Sequence, residues 1–297
     1  MLNRPHVPIP ATRIPDQTMN PTIRIAGVQM NIALGQPQTN VARMLAALRE
    51  AAGAGAQLIV FPECAVSGYG FESAHAAREI AEPIDGPSVR AIQDECRQRG
   101  VYAVVGMLEA ARGDAFYNSC VFLAPDGPIA SYRKTHLPFL GVDRFTTPGE
   151  GPLAAFDTPL GRMGMNICYD GVFPEVARAL ALDGAELMLL PTNWPPGARG
   201  NSRHLVAARA MENRVFYLAV NRVGEEGGFP FIGETKLCGL AGETIAELPH
   251  AHAGILYAEI QPALAREKKI VIVPDRHETH RFHDRRPDLY GRLVAPI

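Results

Sequence analysis

No apolar run in this 297-residue sequence approaches the roughly 18 residues that a membrane span needs. Neither sign of charge prevails. The 29 Lys and Arg oppose 31 Asp and Glu, so nothing in the balance points to nucleic acid or an anionic membrane as partner. Cysteine is scarce and has no pairing pattern. Cys64, Cys96, Cys120, Cys168 and Cys238 are odd in number, widely spaced and without a C-x-x-C pair. That argues against a disulfide framework or structural zinc site, and makes a reducing cytoplasm the expected location. A P-loop and the H-E-x-x-H zinc pattern are both missing. Gly53-x-Gly55 falls between a helix pattern and a strand pattern, the wrong order for a dinucleotide turn. His277-x-x-His280-x-x-His283 has ligand-like spacing, but Arg276, Arg281, Arg285 and Arg286 around it would repel a cation.

What is present suits a soluble α/β protein with a large core, at 47% hydrophobic and 20% charged residues. Pro5, Pro8, Pro10, Pro15 and Pro21 interrupt an opening stretch that has neither periodicity nor the apolar core of a secretion signal. Residues 1–21 are therefore expected to be a flexible arm. No composition break divides 22–297, which is expected to be one domain ending in a charged, irregular arm from about 274.

Within it, strand-like runs at 23–29, 57–61 and 101–107 alternate with helix patterns. Asn40 is expected to cap the first helix, which ends near Gly53, and a second spans 88–99 and stops at Gly100. Asp126-Gly127 between two apolar runs predicts a hairpin from 117 to 134. Further strands are expected at 163–168, 187–190, 215–221 and 255–260. Helices are expected at 174–182 and 202–214, and a second hairpin turning at Gly242.

Three segments place a reactive side chain where an apolar strand gives out: Phe61-Pro62-Glu63, Tyr132-Arg133-Lys134-Thr135-His136-Leu137-Pro138, and Asn166-Ile167-Cys168-Tyr169-Asp170. Clefts in α/β sheets open beyond the carboxyl ends of strands, so three such ends can meet in one pocket. Singly, each has an ordinary reading: a solvated loop glutamate, a hairpin lysine, a buried inert thiol. The chemistry of the set is more specific. A free thiol has a pKa near ~8.5 and needs a base, a cation or a helix N-terminus to become a nucleophile at neutral pH. Glu63, Lys134 and the helix opened by Pro174 offer all three.

In order and separation these segments resemble the three signature segments of the nitrilase superfamily, with the likeness running from about Ile23 to Tyr290. The resemblance implies a four-layer α-β-β-α sandwich with the active site at one end of its sheets. It implies homodimers or larger assemblies, a small-molecule substrate, and no metal or organic cofactor. It casts Glu63 as base, Cys168 as nucleophile, and Lys134 with the Tyr169 N–H as oxyanion donors. Members of the superfamily often carry a second acid beside the lysine. Asp143 is the best positional match, one methylene shorter than the usual Glu, with a partner of Arg144 or a loop cap as its ordinary reading.

Substrate contacts are expected from Asn193 and from Trp194, the single tryptophan, which has simple packing as its equal rival. Tyr69, His136 and Phe139 are further candidates. Cys168-Tyr169-Asp170 departs from the Cys-Trp-Glu usual in true nitrilases and resembles the amidase and carbamoylase branches. The expected activity is hydrolysis of a small amide or N-carbamoyl compound. A nitrilase, an acyltransferase and a non-catalytic scaffold are the alternatives. For a substrate carboxylate, Arg199, Arg203 and Arg209 are candidates.

Overall fold

The computed structural model describes residues 21–295. The arm expected at 1–21 lies, apart from Pro21, outside them. In chain order the elements begin with β1 (Ile23–Gln29), α1 (Pro37–Gly53), β2 (Leu58–Val60), α2 (Ala74–Ile80) and α3 (Pro87–Arg99). They continue with β3 (Tyr102–Ala110), β4 (Phe116–Ala124), β5 (Gly127–Arg133), β6 (Phe156–Thr158), β7 (Gly161–Met165) and α4 (Pro174–Leu182). Next come β8 (Leu187–Pro191), α5 (Val206–Asn213), β9 (Phe216–Val220), β10 (Val223–Glu226) and β11 (Phe229–Ile232). The last are β12 (Lys236–Cys238), β13 (Thr244–Glu247), β14 (Gly254–Ile260), β15 (Lys269–Val273) and β16 (His277–His280).

Two six-stranded sheets result, ordered β14-β1-β2-β3-β4-β5 and β13-β12-β9-β8-β7-β6. Each has a parallel centre, β1-β2-β3 and β7-β8-β9, flanked by antiparallel strands. Strand alternation sorts the side chains into layers. Ile59 and Val105 face α1 and α3, packing with Leu48 and Ile92. Leu58, Val60 and Val104 turn the other way and meet Leu187, Leu189 and Leu218 of the second sheet. Met188, Leu190 and Tyr217 then cover α4 and α5. The central strands are thus buried on both faces, which is why they read as continuous apolar runs. The architecture is the expected four-layer α-β-β-α sandwich.

Helix ends follow local chemistry. Pro37, Pro87 and Pro174 take first-turn positions, and Gly100 (φ 66°) and Gly184 (φ 88°) adopt the left-handed conformation just beyond α3 and α4.

Several local expectations need correction. Asn40 is no cap: α1 begins earlier, at Pro37, and the fully buried Asn40 amide instead bonds Ala33 N–H (2.8 Å), Ala33 O (2.7 Å) and Val66 O (2.9 Å). The strand expected through Cys168 stops at Met165, because Cys168 takes the left-handed conformation (φ 46°) and opens the turn Cys168–Val172. The helix expected from Ser202 opens as a widened turn, Asn201–Leu205, before α5. The hairpins β10–β11 and β15–β16 have little sequence signal, because their apolar residues do not alternate cleanly. The second places His277–His280 in a strand where an irregular arm was expected.

Candidate active site

Glu63 follows β2 through a turn packed against β3. That approach requires glycine at position 106, where a Cβ would lie 2.3 Å from Pro62 O and 2.8 Å from Cys64 N. Lys134 follows β5, its N–H donating to Asn118 O (2.8 Å) and its own carbonyl accepting from Gly149 N–H (2.8 Å). Asp143 sits in the single turn Gly141–Arg144. The three side chains converge with almost no exposure. Lys134 Nζ donates to Glu63 Oε1 at 2.7 Å and to Asp143 Oδ2 at 2.5 Å. The Asn118 amide bridges the two acids, at 2.7 Å to Glu63 Oε1 and 2.9 Å to Asp143 Oδ1. Tyr69 OH donates to Asp143 Oδ2 at 2.8 Å. Asp143 is therefore a partner of the lysine, while Arg144 bonds the carbonyls of Gly141 and Phe71.

Burial raises the Glu63 carboxyl above the usual range; Lys134 opposes that rise and Asp143 adds to it. Burial works against charge on Lys134 too, yet Glu63 and Asp143 hold its ammonium well above the usual lysine range. The lysine is a fixed cation between two acids. Glu63 Oε2 has no hydrogen-bond partner among the described residues.

Cys168 reaches the site from the second sheet. It begins the turn Cys168–Val172 with φ 46°, a left-handed conformation that costs a non-glycine residue roughly 1–3 kcal/mol. Burial and then Glu63 raise its thiol pKa, while Lys134 and the Asn193 N–H pull the other way. Burial thus favours the protonated thiol, while the residue as a whole is partly exposed.

Asp170 fixes this turn. Its buried carboxylate accepts from Ile167 N–H (3.1 Å), Tyr132 OH (2.8 Å), Thr135 OH (2.9 Å) and His136 N–H (2.9 Å). The cysteine turn of one sheet is thereby tied to the lysine segment of the other. His136 Nδ1 also lies 2.8 Å from Asp170 Oδ1, and its ring stacks on Phe173 at 3.9 Å. Its contacts are those of an anchor.

A cavity of about 500 Å³ adjoins the cluster, lined among others by Tyr69, Phe139, Arg144, Asn193, Glu226 and Phe229. Asn193 is buried, and both polar atoms of its side chain lack partners among the described residues. Phe139 is 91% exposed at the rim. Trp194 does not line this cavity; it packs into the core facing α4 and α5, and its N–H has no partner there. Tyr169 is exposed and meets Phe173 edge-on. Of the arginines considered for a carboxylate, Arg199 pairs with Glu234 and Arg209 with Glu212; neither lines the cavity, whereas Arg144 does. Among the described residues no group of three or more His, Cys, Asp or Glu is placed to hold a metal ion.

Sequence reasoning missed Asn118, the anchoring role of Asp170, and Glu226. A polar pair, Asn118-Ser119, inside an otherwise apolar strand was the available signal for the first.

Comparison with known proteins places the chain in a family. The chain is 37% identical over 273 residues to a nitrilase from Pyrococcus abyssi, covering 91% of this chain and 100% of that one. It is 32% identical to N-carbamoylputrescine amidase from Arabidopsis thaliana, covering 86% and 90% of the two chains. A solved structure of an amidase from Nesterenkonia superposes with a TM-score of 0.77 at 25% identity, covering 92% of this chain and 97% of that one. That structure is of a mutant with the acetamide moiety of fluoroacetamide added covalently at its active-site cysteine. Residues 24–270 match the carbon-nitrogen hydrolase family. The chain belongs to that family, within the nitrilase superfamily.

Proposed function

We propose that this chain hydrolyses the C–N bond of a small carboxamide or N-carbamoyl compound through a thioester on Cys168. One observation carries this reading: a fully buried Glu63–Lys134 pair leaves Glu63 Oε2 without a partner among the described residues, in a cluster whose charges bear directly on the Cys168 thiol.

Glu63 takes the thiol proton as the sulfur attacks the carbonyl carbon, forming the C–S bond and an oxyanion. Lys134 Nζ uses two protons on Glu63 and Asp143, leaving its third for that oxygen, with the Tyr169 N–H as second donor. The C–N bond breaks, and Glu63 returns the proton to the departing ammonia or amine. Water then attacks the thioester, giving a proton to Glu63. The C–S bond breaks, the acid leaves, and Glu63 reprotonates the thiolate.

The amide reading draws on the Nesterenkonia amidase, and the N-carbamoyl reading on the plant relative. Nitrile hydrolysis is a second reading, favoured by the name of the Pyrococcus relative but not by Tyr169-Asp170 after the cysteine. Ammonia release from a panel of simple amides, N-carbamoyl amino acids and nitriles decides between them. Nitriles turned over faster than amides would overturn the subclass, and full activity in Cys168→Ala would overturn the mechanism. Homodimeric or higher assembly belongs to the same proposal, supported by the exposed Leu289, Leu293 and Val294 of the C-terminal segment.

A further inference from the structure

Arg222 and Glu226 form a buried ion pair that the chemistry above leaves unused. Arg222 is fully buried; besides pairing with Glu226 it donates Nη2 to Ile32 O at 2.7 Å and lies 4.3 Å over the Phe231 ring. Both Glu226 oxygens are engaged. Oε1 meets Arg222, and Oε2 accepts the N–H of Tyr69 at 3.0 Å and of Gly70 at 2.7 Å. The approach is close enough to need glycines on the facing loop. A Cβ at Gly68, which has φ 81°, would lie 2.9 Å from Glu226 Oε1, and one at Gly70 would lie 3.0 Å from Glu226 Cβ. The carboxylate therefore clamps the backbone of the loop that carries Tyr69. At the far end of that side chain, the hydroxyl donates to Asp143, and Asp143 and Glu63 share the Lys134 ammonium.

We propose that Glu226 is a positioning residue: held by Arg222, it sets the Tyr69 loop at the height where the phenol engages Asp143, and so fixes how Lys134 is divided between Asp143 and Glu63. The inference rests on the reading of Glu63, Lys134 and Cys168 as the reacting groups. Without the phenol's hydrogen bond, Asp143 becomes the stronger acceptor and draws the ammonium away from Glu63. Glu63 then loses part of what favours its ionised form, and proton uptake by it becomes easier. The titratable and charged groups that act on Glu63 or feel its charge are Lys134, Asp143, Tyr69, Cys64, Cys120, Cys168 and Arg222.

The test compares Glu226→Gln, Tyr69→Phe and the double variant in pH profiles of kcat/KM on a neutral amide, with the pH dependence of Cys168 alkylation by iodoacetamide read by intact mass. The proposal expects each single variant to lower kcat about tenfold or more with KM changed less. Each should move the acidic limb of both profiles to higher pH, and the double variant should be no worse than the poorer single one. Multiplying losses, or a Glu226→Gln that lowers only the melting temperature, would overturn it. Should Glu226→Gln fail to fold, Glu226→Asp takes its place in the cycle, with partial retention of kcat expected and full independence from Tyr69→Phe overturning the link. Alkylation needs no substrate, so a wild type inactive on every amide, N-carbamoyl compound and nitrile would refute the hydrolase reading while leaving this coupling measurable.

Discussion

Replacing Asn118 by leucine removes an amide that touches both acids of the site while nearly conserving volume. The side chain is 1% exposed and donates at 2.7 Å to Glu63 and 2.9 Å to Asp143. A hydrogen bond to a charged group contributes about 1.5–3 kcal/mol. Two of them, partly offset by the added apolar burial, give a net loss of roughly 2–5 kcal/mol. At about 2 °C per kcal/mol for a chain of this size, the melting temperature should fall roughly 4–10 °C. The catalytic effect has a definite sign. The Asn118 N–H favours ionised Glu63, so its loss raises a carboxyl that burial has already pushed up. In the proposed mechanism Glu63 must be ionised to take the thiol proton, so the acidic limb of kcat/KM moves to higher pH by about one to two units, the equivalent of one charged hydrogen bond. A thermal melt and a pH–rate profile on one amide substrate measure both quantities. A lowered melting temperature with the acidic limb unmoved would refute the claim that Asn118 tunes the acids, leaving it a packing role alone.

Gly141 has φ 50°, and a Cβ there would lie 2.2 Å from Tyr69 Cε1. Gly141→Ala should displace the phenol from Asp143 and lower kcat at least tenfold, read by steady-state kinetics beside a thermal melt. Glu95 is held by Arg49 and Arg99, which lower its pKa from 4.5 to about 2. A depressed carboxyl stabilises the fold above the unfolded value and loses that contribution as pH falls from about 4.5 towards 2. Both arginines are about half exposed, so solvent screening limits the effect to roughly 1–2 kcal/mol. Glu95→Gln should flatten that part of a denaturation-versus-pH curve, and an unchanged slope would contradict it.

Glu63, Lys134 and Cys168 stood out in the sequence because each closes a strand-like run and brings chemistry a loop does not need, whereas Asp143, in the turn Gly141–Arg144, was reached through resemblance alone. The sandwich was legible through resemblance, and its central strands through their unbroken apolar runs. What stayed hidden is polar and internal. Asn118 lies within β4, where sequence cannot tell a buried amide with charged partners from a solvated one. Asp170 looked like part of a motif, yet its work is to accept bonds from residues more than thirty positions away. The Arg222–Glu226 pair gave no signal, because a charged pair four residues apart usually marks a solvent-facing surface. For Trp194 the structure shows the packing reading and not the substrate contact. The turn that offers Asn193 to the cavity sends the next side chain the opposite way, into the core.

Glu63 and Lys134 hang from one sheet and Cys168 from the other, so their alignment depends on how two greasy slabs register against each other. Asp170 works as a dowel through that joint. Modest heating or hydrostatic pressure that lets the slabs creep by a fraction of an ångström should silence turnover while every helix and strand is still intact. Substitutions deep between the sheets, such as Leu189→Ala, should cost rate out of proportion to their distance from the sulfur.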